Sequence, residues 1–185
     1  ERDEARRASA RELADAARVG VALHLPGDPT YPPSLHDLPD PPPALWSLGD
    51  PALAARRARV AVVGTRDASG YGLRATRAVC DALAGAGACL VSGMALGIDG
   101  EAHERALAHG APTVAALGTG ADVAYPAQHR GLHRRIAAHG LVLAEPPPGT
   151  RAGPGAFPRR NRIVAALADL VVVVEAGHKS GAMIT

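Results

Sequence analysis

The stretch from Val60 to His103, "VAVVGTRDASGYGLRATRAVCDALAGAGACLVSGMALGIDGEAH", decides the fold. It holds two short apolar runs, Val60–Val63 and Cys89–Val91, separated by a segment of helix length, Ser69–Gly87, with helical apolar spacing. A second helix-length segment, Gly97–His109, follows directly. Strands that are apolar along their whole length are buried on both faces, and a helical crossover is what lets two of them lie parallel.

The same rhythm runs to the end of the chain: Thr113–Leu117 then Gln128–His139, Leu141–Ala144 then Asn161–Ala168, and finally Leu170–Val174. The alternation predicts an α/β fold, an open parallel sheet with helices on both faces. Upstream, residues 1–18 ("ERDEARRASARELADAAR") read as a short helix left from an upstream region. Residues 19–58 contain "PGDPTYPPSLHDLPDPPP" and are expected to form an extended proline-rich strap packed on the main domain, with Trp46, the one Trp, pinning its end. Residues 59–185 form the main domain.

The chain has 185 residues, enough for one well-buried domain and a small appendage. Its first residue is Glu1 and not Met, so it is expected to be a piece of a longer protein. A formal charge of +2 means that any anion-binding surface must arise from local clustering. Cys80 and Cys89 fall in apolar contexts, so free buried thiols in a reducing compartment are expected. No apolar run is long enough to span a bilayer and no leader is recognisable, so a cytoplasmic protein without membrane association is expected.

In an open α/β sheet, ligands bind where strands end and helices begin. Here those junctions read "GTRDASGYG", "SGMALGID", "GTGADVAYP", "EPPPGTRAGPGAFPRRNR" and "EAGHKSGAMIT". The first presents Gly64, Thr65 and the cation Arg66. The second, with Ser92, Gly93 and Gly97, has the composition of a phosphate cradle whose backbone amides face an anion. It matches neither a dinucleotide fingerprint nor a Walker loop, and Ser92-Gly93 stand where an NAD enzyme would carry its ribose-binding acid.

Asp99 and His103 are four apart on one helix face; they read as an Asp complementing the helix dipole with a His satisfied by it, and no further ligand at matching spacing supports a metal. Glu145 and Glu175 both end strands, either as a catalytic pair or, more simply, as caps of neighbouring segments. No nucleophile elbow is present. Neither a catalytic residue nor a cofactor or metal is expected.

The fourth junction contains the one Phe of a chain that is only 3% aromatic. Phe157 is followed by Arg159, Arg160, Asn161 and Arg162. From local sequence, the ring is a hydrophobic staple at a helix start or an aromatic platform for an unpaired base. Three Arg at one helix mouth oppose the helix dipole, which costs stability unless an anion or a carboxylate sits there.

Together, "VAVVGTRDASGYG", "LVSGMALGIDGEAHERAL", "ALGTGADVAYP", "FPRRNRIVAALAD" and "VVVVEAGHKSGAMIT" resemble the bacterial DNA-processing protein A family, also called Smf, over roughly Gly20 to Thr185. The resemblance implies an extended Rossmann-type fold and a non-enzymatic protein that binds single-stranded DNA, protects incoming DNA during natural transformation and loads the RecA recombinase, acting as a homodimer. By motif, the implied DNA contacts are Gly64, Thr65, Arg66, Ser92, Gly93, Gly97, Phe157, Arg159, Arg160, Asn161, Arg162, Lys179, Ser180 and Gly181. It favours the stacking role for Phe157, and it implies that the sheet continues past Thr185. The alternative is a nucleotide-processing or nucleotide-sensing member of the wider superfamily, similar in architecture to phosphoribohydrolases. Their P-G-G-x-G-T-x-x-E stretch does not occur here.

Overall fold

The structure, a computed structural model, describes residues 2–177 and 181–185. Lys179 and Ser180 lie outside the described residues.

Helix α1 (Arg2–Arg18) leads into β1 (Ala22–His24) and β2 (Leu45–Gly49). Five strands and four helices then alternate: β3 (Arg59–Val63), α2 (Gly70–Gly85), β4 (Cys89–Ser92), α3 (Ile98–Ala108), β5 (Thr113–Leu117), α4 (Arg130–His139), β6 (Leu141–Ala144), α5 (Ala156–Leu167) and β7 (Leu170–Val173). They form one sheet in the order β1-β2-β6-β5-β4-β3-β7, parallel from β6 to β7.

The expected α/β sheet is present, with one addition. The strap does not merely cross the surface: β2 pairs antiparallel with β6, Trp46 opposite Ala144, and β1 pairs antiparallel with β2, so the sheet is mixed. Trp46, 5% exposed, is fastened by these backbone bonds as well as by packing.

Each parallel strand sends alternate side chains to opposite faces. Ala61, Val63, Val91, Val114, Ala116 and Leu143 pack under α5 together with Tyr31 and Leu35 of the strap. On the other face Val60, Val62 and Leu90 meet α2 and α3, while Ala115, Leu117 and Val142 meet Leu132 and Ile136 of α4. α5 therefore covers its face with the strap's help, whereas three helices cover the other.

α5 starts at Ala156, five residues before the expected start at Asn161. Pro158 reads as a breaker, yet in the first helical turn its missing N–H has no intrahelical partner to lose. Phe157 and the arginines are thus on the first turns of the helix and not in the loop before it.

The strand order reverses beside β3: β4, β5 and β6 extend one way from it, and β7 lies on its other side. Beside this reversal a crevice lies beyond the strand ends, between the loops after β3 and β4 and the first turns of α5. Cys80 and Cys89 are free and buried, and burial pushes their thiols up to about 12 and about 11 respectively, so neither supplies a thiolate at neutral pH.

Candidate nucleic-acid interface

The crevice holds a cavity of about 580 Å³ lined by Gly64, Thr65, Arg66, Gly93, Phe157, Arg160, Asn161 and Gly181, among others. The structure therefore brings together residues from four of the expected junctions. Gly64 is glycine because a Cβ there would stand 2.5 Å from Ile98 Cγ1 and 2.8 Å from the Glu175 carbonyl oxygen. The β3 loop is fixed on both sides: Thr65 N–H donates to the Glu175 carbonyl at 2.7 Å, and Ile98 N–H donates to the Thr65 carbonyl at 3.2 Å.

The cradle of "SGMALGID" is already occupied from within. Asp99, in the first turn of α3, accepts the N–H of Gly93 at 3.2 Å and of Gly64 at 3.4 Å, so one carboxylate stitches the β3 and β4 loops together. The expectation that the Gly93 amide faces an external anion is corrected: the anion is the chain's own Asp99. Ser92 is also beneath the site, fully buried, with Oγ donating to the Val62 carbonyl at 2.6 Å. Burial pushes the Asp99 carboxyl above its ordinary value, and Arg160 together with the donated N–H groups opposes that rise.

Arg160 is buried too, 5% exposed. Its guanidinium donates Nη1 to the carbonyls of Gly93 and Ala116 and Nε to Asn161 Oδ1 at 3.2 Å. Asn161 in turn donates Nδ2 to the Gly181 carbonyl at 2.9 Å. Arg160 and Asn161 therefore tie α5 to β4, β5 and the 181–185 segment. Their polar groups point at backbone, not outward as the expected phosphate contacts would.

The other two arginines at the α5 mouth share a carboxylate. Glu145 accepts from Arg162 at 2.7 Å and from Arg159 at 3.1 Å. The dipole penalty of clustered Arg is thus offset by Glu145 beside them and by Asp99 near Arg160, and it does not by itself require a ligand. Glu175 accepts Ser69 N–H at 3.0 Å and Ser69 Oγ–H at 3.1 Å, behind the Ser69 cap of α2. The capping expectation describes Glu175; Glu145 is a counterion.

Arg66 differs from the rest. Among the described residues it is the one cation of the expected set with neither an ion pair nor a hydrogen bond, and it is exposed. Its Cζ lies over the Phe157 ring, 4.9 Å from the centroid. The ring is half-buried, and its centroid is 5.1 Å from that of Tyr125 at an interplanar angle of 31°. Arg66 also raises the local positive potential at Arg160, whose guanidinium burial already disfavours.

Residues 22–185 match the family described as DNA recombination-mediator protein A. The chain belongs to that family. It is 47% identical to Protein Smf of Synechocystis sp. over 165 residues, covering 86% of this chain and 41% of that protein. Against DNA processing protein DprA of Streptococcus pneumoniae it is 40% identical over 158 residues, 85% of this chain and 55% of that one. The chain thus spans about half the length of these relatives.

The crystal structure of the Streptococcus pneumoniae protein superposes with a TM-score of 0.84 at 39% identity, over 88% of this chain and 57% of that chain. A Helicobacter pylori DNA processing protein A, studied for its single-stranded DNA binding mode, superposes with a TM-score of 0.81 at 34% identity, over 89% and 73%. The family is that of DNA-processing, recombination-mediating proteins, and no helix among the described residues is long and apolar enough to cross a membrane.

His103 corrects another expectation. It is not satisfied by Asp99: Nδ1 lies 2.7 Å from Thr113 Oγ1. That hydroxyl gives its proton to the Leu90 carbonyl at 3.0 Å, so Nδ1 carries the imidazole proton, and Nε2 is buried without a partner. A second proton would find no acceptor, and desolvation, with His129 and Arg160 nearby, lowers the pKa from 6.5 to about 3.

A depressed folded-state pKa means stability that is complete above the unfolded value and is lost as pH falls from 6.5 toward 3. Asp99, raised above 3.8, acts in the opposite sense, since the ionised carboxylate is disfavoured in the fold. Urea unfolding at pH 7.5 and 5.5 is expected to register a His103 contribution of about 1.4 kcal/mol per pH unit below 6.5. His103→Asn should flatten that slope; an identical slope in the variant would refute the assignment.

Two participants escaped the sequence reading. Glu145, which the sequence offers as half of a catalytic pair or as a cap, is the partner of both arginines, a pairing 14 and 17 residues apart that local spacing does not reveal. Tyr125 is the other; an aromatic closing a glycine-bearing strand-end loop, in a chain so poor in aromatics, is the sequence signal that marks it.

Proposed function

We propose that this protein binds single-stranded DNA at the crevice beyond β3 and loads the RecA recombinase onto it, protecting incoming DNA during natural transformation, as a homodimer in the cytoplasm. The observation that carries this reading is the pairing of an unengaged Arg66 guanidinium with the half-exposed Phe157 ring on the rim of a 580 Å³ cavity. A cation and a π face side by side suit a phosphate and an unpaired base of one strand, whereas a duplex keeps its bases in the stack. The Helicobacter pylori relative, described by its single-stranded DNA binding mode, supports the same choice.

In this reading residues 59–185 carry the DNA-binding surface, residues 19–58 brace it and residues 1–18 belong to an upstream region. Gly64, Thr65, Arg66, Phe157 and Gly181 face the strand, with Lys179 and Ser180 adjoining them in sequence; Ser92, Gly93, Gly97, Arg160 and Asn161 hold the surface in place. Arg159 and Arg162 contribute field through a carboxylate they share. The protein works without bond-breaking chemistry, and the two strand-end glutamates, committed to Arg and Ser partners, favour no hydrolytic reading.

Fluorescence anisotropy with matched single- and double-stranded oligonucleotides is expected to give tighter binding to the single strand, weakening steeply with salt as counterions are released. Equal affinity for both would overturn the proposal. Phe157→Ala should weaken single-strand binding by about 1–3 kcal/mol, because a half-exposed ring contributes more to stacking than to the core. Arg66→Ala should also reduce the salt slope by about one, which loss of the ring should not do.

A further inference from the structure

Tyr125 stands beside the proposed site, in contact with Phe157. Its ring is 40% exposed and closes the loop after β5. A tyrosine kept for packing hides its ring and satisfies its hydroxyl, as Tyr31 does, 2% exposed and donating to the Pro42 carbonyl at 2.8 Å. Tyr125 does neither: among the described residues its hydroxyl makes no hydrogen bond. Arg66 lies over the Phe157 ring, so part of that surface is shared with a guanidinium. Tyr125 extends the aromatic surface beyond the Phe157 ring, in a tilted contact with centroids 5.1 Å apart. Between them a second small cavity, about 70 Å³, is lined by Arg66, Leu96, Tyr125, Pro126, Phe157 and Arg160, among others. Leu96 is itself 37% exposed, so part of the lining is apolar and accessible. The space admits the edge of a base and not a whole one.

We propose that Tyr125 is a second stacking surface, which receives the base next to the one held at Phe157 while the Leu96 cavity takes that base's edge. This rests on the single-stranded DNA reading above and adds to it a two-base footprint. Because every base has a π face, the added contact raises affinity without selecting sequence.

The test compares oligo(dT) with an abasic oligodeoxyribose phosphate of the same length, by anisotropy. Tyr125→Leu is expected to bind oligo(dT) about tenfold more weakly and the abasic chain as tightly as the unaltered protein, with the same salt slope, since no charge is changed. Tyr125→Phe should bind oligo(dT) like the parent, the ring and not the hydroxyl being what matters. Undiminished oligo(dT) binding by Tyr125→Leu, or an equal loss on both chains, overturns the proposal.

Tyr125→Trp supplies a readout that does not depend on how the Leu variant folds. Trp46 is buried, so the new indole reports the site. Its fluorescence should be quenched by oligo(dT) and unchanged by the abasic chain; no quenching by bound oligo(dT) counts against Tyr125 alone. Failure of the unaltered protein to bind oligo(dT) at all would sink the single-strand reading and this inference together.

Discussion

Arg160→Ala is expected to cost about 3–5 kcal/mol of folding stability, enough to leave many domains of this size only marginally folded. Three losses combine at that position. The carbonyls of Gly93 and Ala116 lose a shared donor in a buried setting, and each buried acceptor left unpaired carries a desolvation cost. Asp99, also buried, loses the cation that helps hold it ionised. The Gly93 backbone is gripped at its N–H by Asp99 and at its carbonyl, in the next peptide unit, by Arg160, so it loses one of two anchors. Thermal unfolding followed by circular dichroism checks this.

Arg159→Ala is the control: its pair with Glu145 involves an Arg side chain 64% exposed, and its removal should cost no more than about 1 kcal/mol. If Arg160→Ala melted like Arg159→Ala and lost only DNA affinity, the scaffold role assigned to Arg160 would be wrong. A cycle with Asp99→Asn should give strongly non-additive losses, because the two charged groups attract each other and hold the backbone of Gly93 from its two sides.

Gly97→Ala is expected to be comparably damaging, about 3 kcal/mol or more, for a reason that involves no lost contact. Gly97 caps α3 at φ +75°, where a side chain is strained. A Cβ there would also stand 2.8 Å from the Arg66 carbonyl oxygen and closer still to that of Thr65. Both obstacles are backbone and cannot swing aside. Relief would have to come from moving the β3 loop off the start of α3, breaking the Ile98 N–H to Thr65 bond and displacing Arg66 from its place over Phe157. DNA affinity should therefore fall even at temperatures where the variant remains folded. By contrast Gly87, at φ +76° with nothing within 4 Å, should tolerate Ala at the cost of backbone strain alone. Equal melting temperatures for the two variants would argue against the close approach of the two loops.

The sequence by itself determined the alternation of strands and helices. Val60–Val63, Val114–Leu117 and Leu141–Ala144 are apolar throughout because they are buried on both faces, and that requirement is written residue by residue. It also placed the glycine-bearing junctions at one edge, since parallel strands end on the same side of a sheet. The antiparallel strands of the strap were not legible: "LWSLG" is short, flanked by prolines, and acquires its strand character only from the free edge of β6.

Only the tertiary structure decided which cation is available. Arg66, Arg159, Arg160 and Arg162 are equivalent as letters, and their fates depend on groups distant in the chain. Gly93 is 67 residues from Arg160, and Glu145 is 17 from Arg162. A guanidinium buried among carbonyls is structure, one that shares a carboxylate is partly offset, and one over an open ring is free to meet a ligand. The difference is burial and partnership, which chain folding creates and which no local pattern encodes.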